Sequence, residues 1–328
     1  MDQLKRTKYW FETDPEKDWK GNPAVDVDKD PANLLADLVA NSTYDDIPQK
    51  EIERAKQGVL DTLAVMTAGS SQRCLPATAE VIKKHYGQRE GGSPVFFWNY
   101  NAPATIAAIV NGTMGRIMDF GDVHDTGGHI SEYVIPAMLT ALSLSEKKIS
   151  GKEFLAAYIL GAEWCTRQHS AYRFHYHPMS PGESGHMGQT VCIAKMLGLT
   201  RDQILNAAGF SFAMQSVGEA QKVFEASDSQ RIMHGFMAKD SISAVLMAKQ
   251  DLTAPHAIYY GKGGLMRYCV WDDVEPEWFT KGLGTYWHWR DPLLIKPFAS
   301  CKFTHSVISS MLNIMKQVPD YDWHNVAN

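Results

Sequence analysis

Between Met118 and Leu139 the chain reads MDFGDVHDTGGHISEYVIPAML, placing Asp119, Asp122, His124, Asp125 and His129 within eleven residues. An imidazole among carboxylates can be tuned to gain and lose a proton near neutrality, which is what general acid/base catalysis requires. The stretch lies between a helix ending near Met118 and another starting near Tyr133. Loops between packed helices can turn polar groups toward a cavity, and the Gly127-Gly128 pair permits close backbone approach. A plainer account fits the same residues: a solvated loop whose aspartates cap the next helix.

Three more clusters carry cations or imidazoles. YRFHYHPMSPGESGHMGQT holds Arg173, His175, His177 and His186, and leads into a helix whose first turn, near Ser184 to Gly188, offers backbone N–H groups to a carboxylate. SDSQRIMHGFMAKD holds Arg231, His234 and Lys239, with Ser227 or Asp228 as a cap. Lys296, Cys301, Lys302 and His305 form the last. The structural alternatives are a Pro-rich surface loop and ordinary helix capping. Four such clusters in a chain of net charge −5 point to a small anionic ligand, because Arg and Lys pair with carboxylates and buried cations need such partners.

The composition excludes several classes. Lys and Arg are interspersed with Asp and Glu, so there is no stripe to track a phosphate backbone and no nucleic-acid partner is expected. The apolar runs are short of the ~20 residues that cross a bilayer, and MDQLKRTKYWFETDPEKDWK has no apolar core or cleavage site, so a cytoplasmic protein without a membrane partner is expected. Five widely spaced cysteines read as reduced thiols, with neither CxxC nor HExxH present. No metal is expected. GxGxxG and P-loop patterns are absent, and no nucleotide or other cofactor is expected.

Helical periodicity dominates after a polar leader, residues 1–30. IPQKEIERAKQGVLDTLAVMTAG aligns Ile52, Ala55, Val59, Leu60 and Leu63 on one face, starting after Asp45 and Asp46 and stopping at Gly69. Further helices are predicted over Pro76 to Tyr86, Ala102 to Met118, Val134 to Leu144, Lys152 to Gln168, Gly188 to Leu197, Arg201 to Ala213 and His234 to Lys249. Their Ala, Gly, Ser and Met content suits close helix packing. The single strand-like run is Val95 to Trp98. The fold class expected is a large all-α domain over 31–290, followed over 291–328 by the start of a second unit too short to bury a core alone.

At MDFGDVHDTGGHISEYVIPA, GHMGQTVCIAKMLGLTRDQILNAAG, RIMHGFMAKD and GLGTYWHWRDPLLIKPFASCKFTH, in that order, the chain resembles the MmgE/PrpD family, over about Asn33 to Met315. That family includes 2-methylcitrate dehydratases, cis-aconitate decarboxylases and iminodisuccinate epimerases. The resemblance implies a helical domain with a smaller α+β lid, a cleft active site between them, a homodimer, and no cofactor. Members continue well past Asn328, so it also implies that most of the lid is missing here.

Position by position, the resemblance assigns Asp119 and His129 to the acid/base loop, and His177 with Pro178 to the family's His-Pro if a two-residue insertion is allowed. It assigns Lys296, Cys301 and His305 to a K-x-F/Y-x-x-C/H motif and its following histidine, and adds His234 to the substrate-binding set. Two departures stand out. Val123 replaces a threonine, and Gln230 replaces a lysine with Arg231 beside it, whose guanidinium can grip a carboxylate in a bidentate fork.

The activity expected is a cofactor-independent lyase, a dehydratase or decarboxylase, that moves a proton next to a carboxylate of a citrate-like polycarboxylate. His129 moves the proton, Asp119 fixes its tautomer, and Lys296 and Arg231 hold the developing charge. The alternatives are an epimerase, with His129 opposed by His177 or His186, and a non-catalytic homologue, to which Val123, Gln230 and the early stop would point.

Overall fold

A computed structural model describes residues 29–87, 90–124, 128–172, 185–214, 225, 227–261, 263–265, 275–289, 293–318, 321–322 and 324. Helix α1 (Pro31–Asn41) starts with proline at its first position and Asp30 as N-cap, whose carboxylate accepts from Ala32 N at 3.0 Å. The other carboxyl oxygen accepts from the amides of Tyr259 and Tyr260, at 2.9 and 2.7 Å, tying this end of the chain to a segment far along it.

Helix α2 runs over Gln49–Gly69. Its buried face is Ile52, Ala55, Gly58, Thr62, Val65 and Met66, while Leu60 is 71% exposed and Leu63 also faces outward. The predicted face is thus rotated by part of a turn, because Gly58 and Thr62 allow closer packing than Leu60. Asp45 and Asp46 do not start this helix. They belong to a 3-10 turn (Tyr44–Asp46) closed by Thr43 and Asp46, and Pro48 is the N-cap of α2.

Helix α3 (Leu75–Tyr86) is followed by a two-stranded hairpin, β1 (Ser93–Val95) with β2 (Tyr100–Ala102), in the place of the single predicted strand. Helices α4 (Ala104–Arg116), α5 (Ser131–Ala141), α6 (Gly151–Tyr172), α7 (Gly185–Met196), α8 (Arg201–Ala213) and α9 (Asp228–Lys249) build the core. α4 is buried from Ala107 to Arg116 and α5 nearly throughout, as helices that are apolar on all sides must be.

Two glycines set the spacing of α4 and α9. A Cβ on Gly112 would lie 2.8 Å from Gly235 Cα, so these backbones touch and any larger residue would force them apart. This contact puts His234, one residue before Gly235, deep beside α5.

The aromatic stretch ending at Trp289 is tied to α6. Arg167 donates to the carbonyls of Trp278, Lys281 and Tyr286 at 3.1, 2.9 and 2.8 Å, and to Glu163 at 2.6 Å. Glu163 in turn accepts from the amides of His288 and Trp289, at 3.1 and 2.9 Å. A fully buried ion pair is tolerated only when its remaining valences are met in this way.

The chain next contributes β4 (Leu293–Leu294), antiparallel to β3 (Val123–His124), with Val123 opposite Leu294 and His124 opposite Leu293. Arg54 of α2 donates to the Leu293 carbonyl. The last helix, α10 (His305–Gln317), is not among those expected from the sequence, and it leaves Val307, Met311, Leu312, Ile314 and Met315 exposed. Among the described residues the sheets are two strands each, the rest of the regular structure is helical, and no helix is long and apolar enough to cross a membrane.

Candidate active site

Pairing β3 with β4 brings two distant parts of the chain together at Asp119. Lys296, two residues after β4 and almost fully buried, donates to both the carbonyl and the carboxylate of Asp119, each at 2.8 Å. Asp119 adopts a left-handed backbone, φ 50°, which an aspartate tolerates better than most residues and which aims both oxygens at one ammonium. Arg116, in the last turn of α4, reaches the same carboxylate at 2.5 Å.

Burial works to raise the Asp119 pKa, but the charges of Arg116 and Lys296, with help from His129, outweigh it and hold the carboxyl well below the usual range. Two cations thus meet one carboxylate, leaving an excess positive charge.

His129 lies in the same cluster. Its Nδ1 is 3.0 Å from the Asp122 carbonyl and 3.2 Å from Glu132 Oε1. Burial, followed by the charges of Arg116 and Lys296, depresses its pKa well below 6.5 against the pull of Asp119. The imidazole is neutral at pH 7. With Nδ1–H donating to the Asp122 carbonyl, Nε2 is left with the lone pair of a base.

The sequence-based expectation that Asp119 fixes this tautomer is corrected by these contacts. The Asp119 carboxylate is taken up by two cations, and the groups at Nδ1 are Asp122 and Glu132. Asp122 is itself fixed by Ser131, whose amide donates to it at 2.9 Å and whose hydroxyl binds both Asp122 and Tyr158.

Glu132 sits at the centre of the group, fully buried. Its Oε1 lies 3.7 Å from Arg116 Nε and 3.6 Å from His234 Nδ1. Gly121 makes room for it, since a Cβ there would come within 2.6 Å of Glu132 Cβ. Burial pushes its pKa well above 4.5 despite Arg116 and Lys296, with Asp119 and Asp122 adding to the rise. The neutral carboxylic acid is thus favoured over the carboxylate at this position. His234 stacks on Tyr133 at 3.5 Å between ring centroids and lies 6.4 Å from the His129 ring.

The remaining sequence candidates lie apart from this contact set. Arg231 donates to the Ile117 carbonyl and faces an adjoining cavity of about 510 Å³, lined also by Arg73, Cys74, Met118, Asp228 and Ala299. Its lining includes Met118, the residue before Asp119, and Ala299, three residues after Lys296. Gln230 is half-buried in the first turn of α9. His305 contacts the Ser300 carbonyl at 3.2 Å and the Phe298 ring, within its own segment, and Cys301 is exposed. His177 lies outside the described residues, as do Arg173, His175 and Asp125.

Sequence reasoning missed Arg116 and Glu132. Arg116 is the sole charge in the apolar run from Ala102 to Met118, and Glu132 stands three residues after His129. Both signals were legible, since an isolated charge in a core helix needs a buried partner.

A helical scaffold thus gathers an imidazole, a buried carboxyl and two cations around one carboxylate. The chain belongs to the MmgE/PrpD family, whose N-terminal domain it matches over residues 33–277. It is similar to the cis-aconitate decarboxylase of Aspergillus terreus, 26% identical over 303 residues that cover 86% of this chain and 59% of that protein. It is also similar to the cis-aconitate decarboxylases of Homo sapiens, 28% identical over 218 residues (63% of this chain, 43% of that one), and Mus musculus, 27% over 234 residues (67% and 45%). The chain thus spans about three-fifths or less of the length of these relatives.

Proposed function

We infer that this chain carries the acid/base centre of a cofactor-independent lyase that moves a proton beside a carboxylate of a citrate-like polycarboxylate, with cis-aconitate as the first substrate to test. The observation that carries this reading is the convergence of Lys296, Arg116 and Asp119 at His129, from segments 177 residues apart in sequence. Removing a proton next to a carboxylate builds up negative charge, and fixed cations in a dry site stabilise it far more than water would. Decarboxylation needs the opposite transfer, a proton delivered to carbon as carbon dioxide leaves, and His129 serves there once Nε2 has taken up a proton. Arg231, which lines a cavity bordered by Met118 and Ala299, is the candidate to hold a further carboxylate of the substrate. The activity belongs to a protein that dimerises and acts in the cytoplasm on this reading, with His177, Gln230, His234, His305 and Cys301 as further candidate contacts.

The test is to incubate the protein with cis-aconitate, citrate and 2-methylcitrate in deuterated water and follow products by NMR. Loss of carbon dioxide or water is expected, with His129→Ala lowering turnover by about 10²–10⁴. Deuterium entering recovered, inverted starting material would instead mark an epimerase, and binding without turnover a non-catalytic homologue. A His129→Ala variant with more than about a tenth of wild-type turnover would overturn the assignment of this residue.

A further inference from the structure

Two buried groups take no part in the proton transfer at His129 as described so far, namely a carboxyl at the centre of the cluster and a histidine that lies behind it. We propose that Glu132 and His234 form a proton relay behind His129, so that the charge taken from substrate is not left on the imidazole that contacts it. The relay deepens the lyase reading and rests on it for the role of His129.

Three groups meet at one carboxyl oxygen. His129 Nδ1, Glu132 Oε1 and His234 Nδ1 follow one another at 3.2 and 3.6 Å. Neither Glu132 oxygen completes a well-aligned hydrogen bond among the described residues. Contacts of this kind tighten when a substrate closes the site. Gly121 and the Gly112–Gly235 contact hold the three together, the first by admitting the carboxyl and the second by seating α9 against α4.

The groups facing Glu132 are Arg116 from α4, Asp119 and Asp122 from the loop, His129, His234 from α9, and Lys296. An imidazolium at His129 would stand beside two of these cations, Arg116 and Lys296, which is the least favourable place in the cluster for new positive charge.

The proton count closes. Nε2 of His129 takes the proton from substrate carbon, and the carbon keeps the electron pair. With Glu132 carrying its proton on Oε1, that proton passes to His234 Nδ1, and the Nδ1 proton of His129 takes its place on the same oxygen. His129 and Glu132 end neutral, His234 carries the charge, and the reverse sequence delivers a proton to carbon. Glu132 and His234 act through His129 and are positioning residues, not catalytic ones.

Glu132→Gln keeps the shape and both hydrogen-bonding functions but cannot shuttle a proton. A fall in kcat of about 10–100-fold with KM within about threefold is expected, since the binding cations are untouched. A substrate-free measurement separates the relay from the choice of substrate. With ¹⁵N-labelled histidine, His129→Asn should move the ring nitrogen shifts of His234 in the wild-type background, and the movement should vanish when Glu132→Gln is also present. An equal response of His234 in both backgrounds would overturn the relay even if the enzyme is active. Should Glu132→Gln fail to fold, His129→Asn decides alone, because a His234 that ignores it is not coupled to His129.

Discussion

Two groups of histidines, one around His129 and one around His288, are both largely shielded from solvent and differ in the groups that surround them. His129 and His234 share their surroundings with Arg116, Asp119, Glu132 and Lys296. His169 and His288 meet a hydroxyl, a thiol and a tryptophan, and His124 packs edge-on against His288 at 5.6 Å: Ser170 Oγ lies 2.5 Å from His288 Nε2, Cys165 Sγ 3.8 Å from His169 Nδ1, and Trp278 stacks on His288 at 4.6 Å. Burial depresses the pKa of His129, His124 and His169 alike. A neutral imidazole is therefore cheap to produce in this core, and what makes a site of the first group is the fixed charge around it. The second group packs the start of the C-terminal segment against α6.

That contrast can be broken by removing charge from one group and imidazoles from the other. Lys296→Met should give the largest effect, a loss of about 10²–10³ in kcat/KM, since it deletes one preorganised cation and leaves the fold's other contacts in place. Steady-state kinetics on the substrate identified above checks it, and a loss under about tenfold would mean that the ammonium serves structure alone.

The next effect is on stability against pH. His169 has its pKa lowered from 6.5 to about 4 by burial. A depressed folded-state pKa means that the unfolded chain binds the proton more readily, so the contribution is present above about 6.5 and is lost as pH falls toward about 4. The full amount is about 3 kcal/mol at 1.36 kcal/mol per unit. Denaturant melts of wild type and His169→Gln across this window should show a shallower acid limb in the variant, and identical limbs would assign the acid sensitivity elsewhere.

His288→Asn should do least. It removes the Ser170 contact and the stacking on Trp278, with a stability cost of about 1 kcal/mol, and should leave kcat within about threefold of wild type. A larger loss of kcat at unchanged stability would make the second group part of the chemistry after all and erase the distinction.

Much of this is legible in the sequence, for reasons that can be named. α8 runs over the Arg201 to Ala213 span that its periodicity predicts, and a capping box of Thr200 and Gln203 satisfies free amides at its start. The acid/base loop is visible as a cluster because its members are neighbours along the chain. The face of α2 is misjudged from sequence because Leu60 scores as apolar while Gly58 does not, yet close packing selects the smaller residue. α10 escapes notice although its apolar residues recur at helical spacing, and those residues are largely exposed here. The tautomer of His129 is expected to depend on the carboxylate whose position in the family motif suggests it, whereas Asp119 is held by Lys296 and Arg116.

Helical architecture, family, and the residue types able to move a proton and hold an anion all follow from the order of residues, since they depend on local periodicity and on motifs of adjacent residues. Which of those residues meet is a matter of packing in three dimensions. The β3–β4 pairing delivers Lys296 to Asp119, and the glycine contact of α4 with α9 delivers His234 to Glu132. Coulomb interactions and desolvation depend on distance in space and not along the chain, so the upward shift of Glu132 and the downward shift of His129 are set by the tertiary structure alone.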